Sequence, residues 1–154
     1  MKTVDKRIRV GLLLFWALYF SIVLVSNSAD ALNALLLLPS GWYFVSGNYG
    51  LIQKVVAMYE PPVWLAGFMF AGVILWEALG AILFWKAFRV TLRQNPKQSV
   101  TVQAAFGITI GLWAAFILAD EVFLTYLLGG ITSTHYNLLI AELATFILFR
   151  QLDE

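Results

Sequence analysis

The chain has no cysteine and a single histidine, His135, among its 154 residues. Without cysteine there are no disulfides, no thiolate metal sites and no cysteine nucleophile, whatever the compartment. One histidine cannot supply a bis-histidine haem or a histidine-rich metal cluster. Charge is scarce too: Asp, Glu, Lys and Arg make up 12% of the residues and nearly cancel, at +1. That balance offers no basis for a nucleic-acid partner. No catalytic, metal or cofactor motif stands out, and a glycosidase-like pair of acids would need a sugar-accommodating cleft for which the sequence has no sign. The reading is therefore non-enzymatic, with no cofactor and no bound metal.

What the chain has in abundance is apolar length. It is 61% hydrophobic with a mean hydropathy of +0.82, which excludes an ordinary soluble domain. Four runs reach or approach the ~20 residues that cross a hydrocarbon core of about 30 Å. They are Ile8 to Asn27, Val63 to Trp85, Val102 to Leu128, and Ile131 to Phe149. The expected fold is all-α: a single polytopic four-transmembrane-helix bundle covering 1–154, with a long outer segment, 28–62, between the first two helices. No internal repeat divides it.

Of the ten Lys and Arg residues, all but Lys54 fall on one side of these runs. Lys2, Lys6, Arg7 and Arg9 precede the first, Lys86, Arg89, Arg93 and Lys97 lie between the second and third, and Arg150 follows the fourth. The positive-inside rule then places both termini and the basic loop in the cytoplasm, in a multi-pass protein of the inner membrane. The same loop could attract anionic lipid, but a topology signal accounts for it. A basic start, an apolar run and Ala29-Asp30-Ala31 also have the outline of a cleavable signal. The run is too long for a signal-peptide core, so it reads as the first span.

The outer segment is irregular. Ala31 to Leu38 is apolar but short, and Pro39-Ser40-Gly41 ends it, so an interfacial or re-entrant piece is expected. Trp42, Tyr43, Phe44, Tyr49, Tyr59 and Trp64 suit an aromatic belt at the outer headgroups, and Pro61-Pro62 marks entry into the second long helix. In the third span Gly107, Gly111, Ala115 and Ala119 recur every four residues, a stripe of small side chains that allows close helix packing in lipid.

Acidic groups inside the spans are the main functional pointer. At ~1.5 Å per residue, Glu77 and Glu142 each lie about 12 to 13 Å from the inner boundary, in one layer near the midplane. Glu121 and Asn27 reach about 27 Å, with Asp30 and Asp120 beside them, in a second layer at the outer boundary. The helical turn of about 100° per residue puts Glu121 on the face of Gly107 and Ala114 and turns Asp120 away. Neither layer has a Lys or Arg of the spans beside it. A carboxylate in hydrocarbon costs several kcal/mol, so these groups are protonated and hydrogen-bonded, hold a cation or proton, or meet a basic group of another protein.

Glu77-Ala78-Leu79, followed by Ala81 and Trp85, resembles the second-helix signature of a bacterial family of predicted small integral membrane proteins of unknown function. Asn27-x-x-Asp30, Asn48-x-x-x-x-Gln53 with Val55 and Met58, and Glu121 followed by Phe123 are similar to the same pattern. The chain departs from it by an insertion of about Ala31 to Ser46 and by Glu142, where a small or apolar residue is expected. The resemblance implies the four-helix membrane fold and carries no activity.

Two functions fit these features, and the first is the favoured reading. One is an accessory or assembly subunit that contacts the lipid bilayer and other integral membrane subunits through Glu77, Glu142, Glu121, Asp120, Asn27 or Asp30. The other is a small proton- or cation-coupled transporter using the same carboxyls. Repeats and broken helices, common in transporters, are missing from the pattern.

Overall fold

In lipid the backbone must satisfy its own hydrogen bonds, which leaves long uninterrupted helices as the solution for apolar runs that lack proline. The computed structural model describes residues 3–94, 98–125 and 131–152 and contains five α-helices in that range. These are α1 (Thr3–Ala34), α2 (Asn48–Val56), α3 (Trp64–Leu92), α4 (Gln98–Val122) and α5 (Ile131–Gln151), with one 3-10 turn at Ala57–Tyr59 after α2. Three of them, α1, α3 and α4, are long and apolar enough to cross a membrane. Helix α5, at 21 residues, has the length of about 31 Å but a more polar start. Met1, Lys2, Lys97, the end of the expected third span at 126–128, and the last two residues lie outside the described residues.

The observed helices overrun the expected spans. At 32 residues, α1 is about 48 Å long, well beyond a ~30 Å hydrocarbon core. The expected interfacial piece at Ala31–Leu38 is in its first half the last turn of α1, which has no glycine or proline after Gly11 to break it. A Schellman-type end closes it: Leu36 adopts φ +59°, while Leu37 N–H donates to Leu32 O and Leu36 N–H to Asn33 O. The third span is shorter than expected, since α4 gives way to a turn after Val122 with Leu124 at φ +50°.

Helix α2 was not foreseen, and it shapes the end of the bundle away from the basic residues, the end that the charge pattern expects to be the outer one. Gly47, at φ +75°, turns the chain into it. Val55 and Val56 fall on the same face as Leu51 and Ile52, the spacing of a one-sided helix, and these four line the interior while Gln53 and Lys54 are exposed. Tyr49 packs its ring 5.7 Å from Phe70 of α3. Beyond the helix, Tyr59 donates its hydroxyl to Val122 O at 2.6 Å. Thus α2 lies across the outer ends of α1 and α3 as a cap.

The inner half is packed with aromatic rings. Leu13, Trp16 and Phe20 of α1 recur at helical spacing and are fully or nearly fully buried against Phe84, Phe106 and Phe149 of the other helices. Phe20 stacks on Phe84 at 5.7 Å, and Phe84 meets Phe106 edge-on at 5.0 Å. Arg9 is buried at this end with its guanidinium 4.2 Å from the Phe149 ring, joining α1 to α5. Neighbours in the bundle run α1, α3, α4, α5. Indole groups add cross-links: Trp85 donates to Ser21 Oγ at 3.0 Å, and Trp76 to Ile108 O at 2.9 Å.

The tightest approach between helices is at Gly80 of α3. A Cβ there would stand 2.7 Å from Thr109 Cγ2 and 3.3 Å from Phe20 Cδ1. Along the small-residue stripe of α4, Gly107 is exposed with nothing near it, and Gly111 faces Trp76 at 3.6 Å. Ala115 and Ala119 border a partly open cavity instead. Thr109 is stiff at χ1 and its hydroxyl is hydrogen-bonded to Ala105 O and to Glu142, so it cannot yield. Gly80→Ala should therefore lose about 1–3 kcal/mol, and Gly107→Ala should stay within about 0.5 kcal/mol of the parent. Thermal unfolding in detergent checks this; equal effects at the two sites would contradict the packing.

Candidate functional site

Four buried acids occupy three polar clusters, each held between helices that the apolar packing brings together. In the first, Asn27 of α1 turns its amide nitrogen to both oxygens of Glu77 on α3, at 2.7 and 2.9 Å. Asn48 of α2 donates in turn to Asn27 Oδ1 at 2.8 Å. One turn above, Asp30 accepts from Ser46 Oγ at 3.1 Å and from the Tyr49 backbone N–H at 2.8 Å. Asn27 and Asp30 are three residues apart on one face of α1, so the pair binds both the first residues of α2 and the middle of α3. Asn27, Asp30 and Glu77 are all buried.

The second cluster joins α4 and α5. Glu142, fully buried, accepts from the Thr109 hydroxyl and from the Trp113 indole N–H. Thr109 meets Gly80, which lies one turn inward of Glu77. Glu77 and Glu142 are thus close in height but belong to different helix pairs, one carboxyl bound toward α1 and the other toward α4.

The third cluster lies at the outer end. Asp120 is 2% exposed, with one carboxyl oxygen 2.7 Å from His135 Nδ1 and the other accepting from Thr125 Oγ1 at 2.7 Å. Phe116 stacks on the His135 ring at 4.8 Å. The helical phase expected for α4 holds, but its inward and outward sides are the reverse of that suggested by Glu121. Glu121 is exposed together with Gly107 and Ala114, while Asp120 turns inward. The outer layer also has a basic partner, His135, which an inventory of Lys and Arg overlooks.

Between the clusters is a cavity of about 630 Å³ in the outer half of the bundle. Glu77 and Asn27 lie in its wall, Asp120 and His135 border it on α4 and α5, and α2 covers it with Leu51, Ile52, Val55 and Val56. Among the described residues six aromatic rings line it: Tyr19, Phe70, Trp76, Trp113, Phe116 and Phe123. Tyr19 and Trp113 touch edge to face at 6.4 Å, which places the indole that binds Glu142 beside the α1 wall. Among the described residues no Lys or Arg borders the cavity. Glu77 lies about 20 Å along α3 from Trp64, at ~1.5 Å for each of thirteen residues, and is the lining residue of α3 farthest from the start of that helix.

An apolar chamber of this size with a few convergent polar groups has the character of a small-molecule site. Among the described residues no three His, Cys, Asp or Glu side chains group closely enough to hold a metal ion. His135, Asn48, Thr109 and Trp113 are the site residues that sequence reasoning did not single out for a role. Only Asn48 left a signal, in the resemblance to the small membrane-protein family. Compared with known proteins, the chain matches no family model, no curated protein and no solved structure.

Glu77→Gln retains an acceptor for the Asn27 amide, whereas Glu77→Ala leaves both a cavity and an unmet donor. The alanine variant should be the less stable of the two in detergent at neutral pH. A cycle combining Glu77→Ala with Asn27→Ala should give a coupling of about 0.5–2 kcal/mol. Simple additivity would show that the two side chains do not depend on each other.

Proposed function

We propose that the protein is a non-enzymatic inner-membrane protein of four spans that binds a small solute from the outer side, in the cavity beneath α2. Both termini and the basic loop after α3 are cytoplasmic in this reading, and α5 is the fourth span. Charge supports the orientation: among the described residues the exposed Lys54 is the only Lys or Arg at the capped end of the bundle. The buried Glu142 and its packing against α4 support the placement of α5 within the bilayer.

Glu77 carries the functional reading. A carboxyl deep in a membrane helix is a functional group by default, and this one is in the wall of a chamber large enough for a ligand. Solute binding is the first half of what a cation-coupled carrier does, so the geometry favours the transport side of the two functions the sequence allows. The accessory-subunit reading drew its strength from buried carboxyls without partners in the chain. Asn27, His135, and Thr109 with Trp113 now satisfy them from within. What still supports a subunit contact is Glu121, exposed on the outer part of α4, and the exposed Tyr43 and Trp64 of the outer segment.

Access to the cavity tests the proposal. A single cysteine at Ala119, which lines it, should react with a membrane-impermeant thiol reagent added to the outer face. One at Ala105, fully buried in the inner core, should stay unreactive. An Ala119→Cys protein that is inert, or that reacts only from the cytoplasmic face, would contradict a cavity open to the outside.

A further inference from the structure

The lining chemistry narrows what the cavity can hold, and this narrowing rests on the binding reading above. An anion would meet Glu77 and Asp120, with no Lys or Arg among the described lining residues to receive it. Ca²⁺ and Mg²⁺ need six or more oxygen ligands, the described residues offer no cluster for a transition metal, and the wall is mostly aliphatic and aromatic carbon. A lipid chain would fill the space but would gain nothing from a carboxyl and would leave it facing hydrocarbon. An apolar body that carries a positive charge satisfies both features of the wall.

We propose that the cavity binds a hydrophobic organic cation, with Glu77 as its counter-ion and the Tyr19, Trp76 and Trp113 rings around the positive centre. Asp120 already has the His135 ring at 2.7 Å, which leaves Glu77 as the cavity-lining carboxyl whose side-chain partner is a neutral amide, Asn27. The Asn27 amide, itself anchored by Asn48, fixes the carboxyl at the cavity wall. Aromatic faces attract a desolvated cation through their quadrupoles and tolerate many shapes of apolar body, so selectivity rests on charge more than on outline. The ring of aromatics and the single buried counter-ion fit an ammonium or phosphonium centre too bulky or too weakly hydrated to require water.

Tetraphenylphosphonium and tetraphenylborate have nearly the same size and opposite charge, which separates charge selection from apolar partitioning. The full-length protein in lipid nanodiscs, titrated with each and followed by tryptophan fluorescence and thermal unfolding, gives the comparison. Tetraphenylphosphonium should bind saturably and raise the unfolding temperature, and Glu77→Gln should weaken it by about tenfold or more. Glu121→Gln, at an exposed position outside the cavity, should leave the affinity unchanged. Equal binding of the borate, no saturable binding of the phosphonium, or unchanged affinity in Glu77→Gln would overturn the proposal. Should Glu77→Gln fail to fold, protection decides: the phosphonium should slow thiol labelling of Ala119→Cys and the borate should not, and equal protection counts against it. A cysteine at Ala119 that labels from outside while the phosphonium fails to bind sinks the cation assignment alone. A cysteine there that never labels sinks the binding reading itself.

Discussion

A carboxyl group in hydrocarbon costs several kcal/mol unless its oxygens are met, and Glu77 is met by one side chain, the Asn27 amide. Because Asn27 is itself held by Asn48, that single contact ties three helices together. It keeps the middle of α3 against α1, and it ties the start of α2 over the outer end of the bundle. Asp30, on the same face of α1, doubles the attachment through Ser46 and Tyr49. The cavity lies beneath α2, which these polar contacts keep in place, and its wall combines the acids with large aromatic rings rather than interlocking them as in the inner half.

The two halves of the bundle are stabilised by different physics. In the inner half, Phe20, Phe84 and Phe106 interlock and Gly80 admits Thr109, giving the close van der Waals packing that drives association in lipid. In the outer half, hydrogen-bonded acids set the spacing. A membrane protein could fill that region with leucine at lower cost, and the retained carboxyls are what turn a structural bundle into a candidate binding protein.

Much of the helical plan was legible in the apolar runs, because hydrocarbon thickness dictates length. The starts of α3 and α5 lie within a residue of expectation. The ends were less legible: α1 runs on to Ala34 because lipid-facing and interfacial leucines look alike in sequence, and α4 stops at Val122 although apolar residues continue. Helix α2 was hidden because its nine residues are too few to register as a span and its one-sided pattern is brief. For the site, spacing along the helices brought out Asn27, Asp30, Glu77 and Glu142 as polar groups out of place. It could not reveal that Asn27 faces Glu77 across fifty positions, since that depends on the rotation of two helices about their axes. The phase of α4 was read correctly, but only packing could decide that Asp120 rather than Glu121 points inward.

Amide hydrogen exchange of the protein in nanodiscs tests the dependence on Glu77 most directly. In Glu77→Ala, exchange should accelerate across Asn48–Val56 because α2 loses its indirect anchor, while α5 between Leu138 and Phe149 keeps the parent's protection. Unchanged protection of α2, or a uniform loss throughout the chain, would contradict the claim that this one buried carboxyl holds the cap over the cavity.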